Sequence, residues 1–175
     1  DKGYYDLVSQ TPHQPISLQA AIVSCKMTPV IGEIKFSSPS DGTLRESTDI
    51  EGIAKDMIRG GVVGISVLTE PVFFQGSFNH LQRVRRVTRL PLLMKDFIID
   101  HKQVDAGASA GADAVLLISA IYNLGLPKVD ISGMIDYVHK KGLEVLLEVH
   151  SKQEFRQASQ TDADIIGINN RDLET

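Results

Sequence analysis

Six short apolar runs, VIGEIK, GISVLTE, LLMKDF, AVLLIS, VLLEVH and IIGINNRD, recur along the 175 residues, and all but the fourth, which stops at a serine, carry a charged or amide residue at or near their carboxyl end. A strand that is apolar along its length is buried on both faces, as strands of parallel sheets are. A charge repeated at the same end of several such strands costs desolvation unless it serves a site. The pattern predicts an α/β fold built on parallel strands, with Glu33, Lys35, Lys95, Glu148, Asn169 and Arg171 at the carboxyl ends of those strands.

Between the runs lie amphipathic stretches with helix signals. Thr48 with Glu51 and Ser151 with Glu154 have the spacing of capping boxes, in which hydroxyl and carboxylate satisfy orphan backbone donors. Ile50, Ile53, Ala54, Met57 and Ile58 recur at helical spacing, as do Val129, Met134, Ile135 and Val138. Gly61, Gly111 and Gly142 stand just before strands, where a left-handed helix cap is wanted. The expected order is a helical segment near Ser17 to Lys26, then six strand-helix units beginning near Val30, Val62, Leu92, Ala114, Val145 and Ile165, the sixth without its helix. Residues 1–175 then read as a single partial domain, with 1–28 an N-terminal extension and 29–175 the βα units. Alternating strands and helices leave an open doubly wound sheet or a closed eight-stranded barrel, and charges at most strand ends, rather than at one switch point, favour the barrel.

Composition narrows the partners. With 42% hydrophobic and 23% charged residues the chain reads as soluble and globular, and a formal charge of -4 argues against a nonspecific grip on nucleic acid. Arg83, Arg85, Arg86 and Arg89 form the one basic cluster, and their spacing predicts a solvated helix face. The single cysteine, Cys25, excludes an internal disulfide, no run reaches the length of a membrane span, and no signal core is present, so a cytoplasmic location is expected. HExxH, CxxC and Walker motifs are absent, and the five histidines lack ligand spacing; only His150 lies near a strand end, where it reads as a surface or supporting residue.

Four segments together resemble indole-3-glycerol phosphate synthase of tryptophan biosynthesis: Glu33-Ile34-Lys35 with Ser38-Pro39-Ser40, then SVLTEPVFFQGS, then LMKDFIID, then EVH with IIGINNRDLET. The match runs from about Ser17 to the C-terminus. The resemblance implies a (βα)8 TIM barrel with an N-terminal helical extension, of which about six units are present here. It also implies a carboxy-lyase that converts 1-(2-carboxyphenylamino)-1-deoxyribulose 5-phosphate to indole-3-glycerol phosphate, carbon dioxide and water, with no metal or organic cofactor.

On this resemblance Lys95 is the candidate general acid, in a buried setting with Lys35 nearby, and Glu148 is the carboxylate that removes a proton as the hydroxyl departs. Glu33 would orient Lys35 and bind polar groups of the substrate. The division of proton donation between Lys35 and Lys95 stays open. Phe74, Phe97 and Leu116 would form the apolar wall for the anthranilate ring. Ser38 would contact the phosphate, and Asn169 and Arg171 the substrate carboxylate or hydroxyls, a planar arginine fork being suited to a carboxylate. The family continues through two more strand-helix units that carry its main phosphate loops. A six-unit chain is therefore expected to be weakly active alone, or to act as a noncatalytic fragment that self-associates through open sheet edges.

Overall fold

The computed structural model describes residues 3–38, 42–43 and 49–170, and of Leu7, Ser38 and Thr43 the backbone alone. Six strands, β1 (Ile31–Ile34), β2 (Gly64–Leu68), β3 (Leu92–Lys95), β4 (Ala114–Ile118), β5 (Glu144–Val149) and β6 (Ile165–Ile168), form one sheet in chain order. Every pairing is parallel. The helices are α1 (Leu18–Ser24), α2 (Ile50–Arg59), α3 (Phe78–Val87), α4 (His101–Ala110), α5 (Ser119–Asn123), α6 (Ile131–Lys140) and α7 (Lys152–Ala158). This is the curled half of a βα barrel, with strands starting within two residues of the positions expected. Among the described residues no helix is long and apolar enough to cross a membrane.

The pleat sorts side chains by parity. Leu92, Met94, Val115, Leu117, Val145, Leu147 and Val149 join the main core beneath the helices. Ile31, Leu93, Ala114, Leu116, Ile118, Leu146 and Ile165 face the concave side around Leu18 of α1. A Cβ on Gly64 would come within 2.7 Å of Leu18 Cδ1, so α1 is seated directly on the start of β2. Ser17 caps α1 by accepting from Ala20 N, while its hydroxyl donates to Glu144, whose other oxygen accepts from Gln19 N at 2.9 Å. The extension is thereby tied to the amino end of β5.

A recurring carboxylate organises that amino-terminal face. Asp113 stands just before β4 and accepts from the Leu92 N–H at 2.6 Å; Asp164 stands just before β6 and accepts from the Val145 N–H at 2.7 Å. Each supplies a partner to the amide at the start of the preceding strand, where the ladder has none. Asp113 also accepts from Arg85 at 2.8 Å, from Ile16 N at 2.7 Å and lies 2.6 Å from His13 Nε2. Arg85 therefore departs from the solvated face expected of the arginine cluster: it is buried against Asp113 and donates to the Thr88 and Leu90 carbonyls. A buried carboxylate with four partners makes that burial tolerable.

The helix signals are amended in two places. Thr48 lies outside the described residues, and α2 is capped by Asp49, which accepts from Gly52 N at 2.9 Å. Ser151 caps α7 as expected, but Glu154 reaches back past it to the His150 N–H at 2.6 Å. Asp100 and Gln103 make a full capping box on α4 that spacing had not singled out. Gly61, Gly111 and Gly142 all adopt the left-handed conformation expected before strands. Replacing Asp113 with alanine leaves Arg85 as an uncompensated buried charge and is expected to lower unfolding free energy by about 3–5 kcal/mol in urea denaturation, whereas Asp56→Ala, an exposed partner of Arg59, changes it by under about 1 kcal/mol.

Candidate active site

The parity that puts Ile31, Leu93 and Leu146 on the concave face carries Glu33, Lys95 and Glu148, two residues further on, to the carboxyl end of that face. Glu33 and Lys95 stand on strands separated by β2, roughly 9.5 Å by strand spacing. On the strand in the gap between them, Ser66 is the register partner of Glu33 and Leu68 that of Lys95. The long side chains close it: Lys95 Nζ donates to Glu33 Oε2 at 2.9 Å, while Lys35 Nζ lies 3.9 Å from Oε1. Glu33, expected to orient Lys35, thus makes its shorter contact with Lys95. Nor is Lys95 buried as expected, since its side chain keeps 34% exposure and a counterion.

An open cleft lies beside this pair, lined by Leu68, Phe74, Lys95, Phe97, Leu116 and Ile118 together with Glu70 and Asp96. Phe74, Phe97 and Leu116 are brought together there, the two rings 5.9 Å apart. Ile118 is the register partner of Glu148, which ties the cleft to the fifth strand. Glu148 Oε1 accepts from Asn169 Nδ2 at 3.2 Å and lies 3.4 Å from His150 Nε2. Asn169 is held in turn by its N–H on the Val149 carbonyl at 2.9 Å. Ser38 has its backbone paired with Gly42 in a short ribbon; its side chain, and the whole of Arg171, lie outside the described residues. Among the described residues no group of three His, Cys, Asp or Glu is placed to hold a metal ion.

Two carboxylates that the sequence reading passed over shape the cleft. Glu70, almost fully buried, accepts from the N–H groups of Val72, Phe73 and Phe74 at 2.8, 2.6 and 3.1 Å, folding the loop so that Phe74 faces Phe97. The return of this loop requires glycine at Gly76, where a Cβ would lie 2.4 Å from the Leu68 carbonyl oxygen. Asp96 accepts from Thr69 Oγ1 at 2.9 Å and from the Phe97 N–H at 2.8 Å. Gln103 donates to the Phe97 carbonyl, and Tyr4 donates to the Thr69 carbonyl, so the 3₁₀ turn Tyr5–Leu7 and α4 brace both rings' loops. The sequence signal was the Thr-Glu-Pro and Lys-Asp-Phe pairing of a cleft residue with an adjacent acid.

A parallel βα half-barrel that gathers an ammonium-carboxylate pair, a second carboxylate and an apolar cleft at the carboxyl ends of its strands has the layout of the βα-barrel fold, in which that mouth is where sites are built. The profile of the indole-3-glycerol phosphate synthase family matches residues 4–175, and the chain belongs to that family. It is 45% identical over 164 residues to the indole-3-glycerol phosphate synthase of Methanocaldococcus jannaschii, covering 91% of this chain and 59% of the relative. Against that of Carboxydothermus hydrogenoformans it is 44% identical, covering 95% and 63%. The chain thus spans about three-fifths of the length of these relatives. Among solved structures it resembles the N-acetylmannosamine-6-phosphate 2-epimerase of Clostridium perfringens, with a TM-score of 0.61, 15% identity and coverage of 90% of this chain and 67% of that one. A mandelate oxidase gives a TM-score of 0.58 at 15% identity, covering 88% and 52%. At such identities the likeness is one of fold.

Burial pushes the Asp96 carboxyl up from its ordinary 3.8 to about 6, against the opposing hydrogen bonds from Thr69 and Phe97, with Glu70 adding repulsion. A carboxyl whose folded value is raised contributes stability below its unfolded value, and that contribution is lost as pH rises through about 6. Between pH 4 and 7 the parent is therefore expected to lose stability relative to Asp96→Asn, by up to about 3 kcal/mol, in urea titrations at each pH. A difference that does not vary with pH would overturn this.

Proposed function

We propose that the protein carrying this chain closes the indole ring of 1-(2-carboxyphenylamino)-1-deoxyribulose 5-phosphate, releasing carbon dioxide and water to give indole-3-glycerol phosphate. The observation that carries the reading is the Lys95–Glu33 pair at the lip of an apolar cleft that has Phe74, Phe97 and Leu116 in its walls. The cleft suits a planar anthranilate ring, and the ammonium beside it suits a ketone oxygen that gains a proton as the ring carbon attacks. Lys95 is the proton donor in this reading, with Glu33 fixing its ammonium and Lys35 adding positive charge at the same mouth. Carbon dioxide then leaves the ring carbon. Glu148, steadied by Asn169, removes a proton as the former ketone oxygen departs as water. Ser38 and Arg171 fit contacts to the phosphate and the carboxylate, and the units beyond this chain in its relatives would add to the phosphate grip. No metal or organic cofactor enters this scheme, and a biosynthetic role of this kind belongs in the cytoplasm.

In the full-length protein, Lys95→Ala is expected to lower kcat by about 10²–10⁴-fold, read from the growth of indole fluorescence on mixing with substrate. Activity within twofold of the parent would remove Lys95 from the chemistry.

A second reading concerns the 175-residue chain taken by itself. Among the described residues β1 and β6 each pair with one neighbour, and Ile168 on β6 is 71% exposed. Unpaired parallel edges with exposed apolar residues invite pairing with another copy. Sedimentation of the purified chain is expected to give a species larger than a monomer with little turnover; a monomer with full turnover would sink the idea.

A further inference from the structure

His150 is the group in this region whose chemistry the preceding scheme leaves unused. It sits on the turn between β5 and α7, its N–H fixed to Glu154 Oε2 at 2.6 Å, and its ring is enclosed, with 16% of the side chain exposed. Both ring nitrogens are buried and neither has a hydrogen-bond partner. Leaving a buried donor unmet carries a desolvation cost that a residue kept for packing alone would avoid by being apolar. The ring is flanked by two carboxylates: Nε2 is 3.4 Å from Glu148 Oε1, and Nδ1 is 3.9 Å from Glu154 Oε2. Among the described residues these are the carboxylates within 4 Å of it. An ionised carboxylate only accepts, so any hydrogen bond here must be donated by the imidazole. A contact a few tenths of an ångström too long is the usual state of such pairs before substrate closes the site.

We propose that His150 is a positioning residue for Glu148: its Nε2–H and the Asn169 amide both address Oε1, so that Oε2 is the oxygen presented to the substrate. The inference rests on the reading of Glu148 as the group that removes a proton. Asn169 supplies one donor at 3.2 Å from the end of β6, and His150 supplies the second from β5's own turn, so the carboxylate is addressed from two separate elements. Glu154 completes the arrangement by fixing the His150 backbone, with Asn123 of α5 3.5 Å from its other oxygen. Without the second donor, Glu148 rotates about its terminal torsion, which is broad for carboxylates. A freely turning base binds substrate as before but spends less time in the productive geometry.

The test is steady-state kinetics on the full-length protein with His150→Ala, His150→Gln and Glu148→Gln. Loss of one hydrogen bond to a charged group corresponds to about a tenfold fall in rate. His150→Ala is expected to lower kcat about tenfold with KM within about twofold, and His150→Gln, whose amide reaches the same place as Nε2, to recover most of the loss. Unchanged kcat in His150→Ala, or no recovery in a folded His150→Gln, overturns the proposal while Glu148→Gln remains inactive. Parental activity in Glu148→Gln overturns it together with the assignment of Glu148, and so separates the two failures. If His150→Ala does not fold, the comparison of His150→Gln with the parent still decides, because a rate within threefold supports a donor role and a tenfold loss excludes it.

Discussion

Parallel register is the constraint on which everything else in this molecule depends. Because successive side chains alternate across the sheet, a shift of one residue in any strand would carry its catalytic candidate from the concave face into the helix-covered core. The pairings of Glu33 with Ser66, Leu68 with Lys95, and Ile118 with Glu148 hold the charged ends of three alternate strands on the same face, each two residues further along in register than the last. That register is secured by the buried residues between them. Met94, Leu117 and Leu147 are fully enclosed beneath the helices, and moving them to the concave side would expose large apolar area.

The two ends of the sheet solve different problems with the same chemical group. At the amino end Asp113 and Asp164 satisfy strand-start amides and draw in the extension through His13, Ile16 and Arg85, all of which serve stability. At the carboxyl end the carboxylates Glu33 and Glu148 are held by side chains from other strands and remain open to the mouth of the barrel, while Glu70 and Asp96 fold the loops that carry the cleft's two rings. Stability at one face and chemistry at the other is the division expected of a βα barrel. It also explains why the Tyr4 hydroxyl, from near the start of the chain, matters to the site: it braces Thr69, which braces Asp96.

Much of the fold was legible because its signals are local. Apolar runs of strand length, glycines before strands and Ser151 ahead of α7 each act within a few residues, so the six units and their order follow from the chain alone. The amendment at α2 is local as well: two adjacent residues, Thr48 and Asp49, offer cap chemistry, spacing to Glu51 pointed to Thr48, and the cap described is Asp49. Arg85 was misread for a different reason. Its place in an arginine cluster looks solvated in one dimension, and only the approach of Asp113, 28 positions away, makes a buried guanidinium affordable.

For the site, the sequence by itself determined which residue types stand at the strand ends and, through its motifs, the family to which the chain belongs. Tertiary structure decided the partnerships. Glu33 contacts Lys95 more closely than its near neighbour Lys35 because both Glu33 and Lys95 face the concave side of the sheet and two long side chains span the strand between them. His150 is set between Glu148 and Glu154 because a strand that turns into a helix folds two nearby residues of its own chain around one ring. Pleat and periodicity are properties of adjacent residues and can be read from order; which charge meets which is a property of distance in space, and only the folded chain sets it.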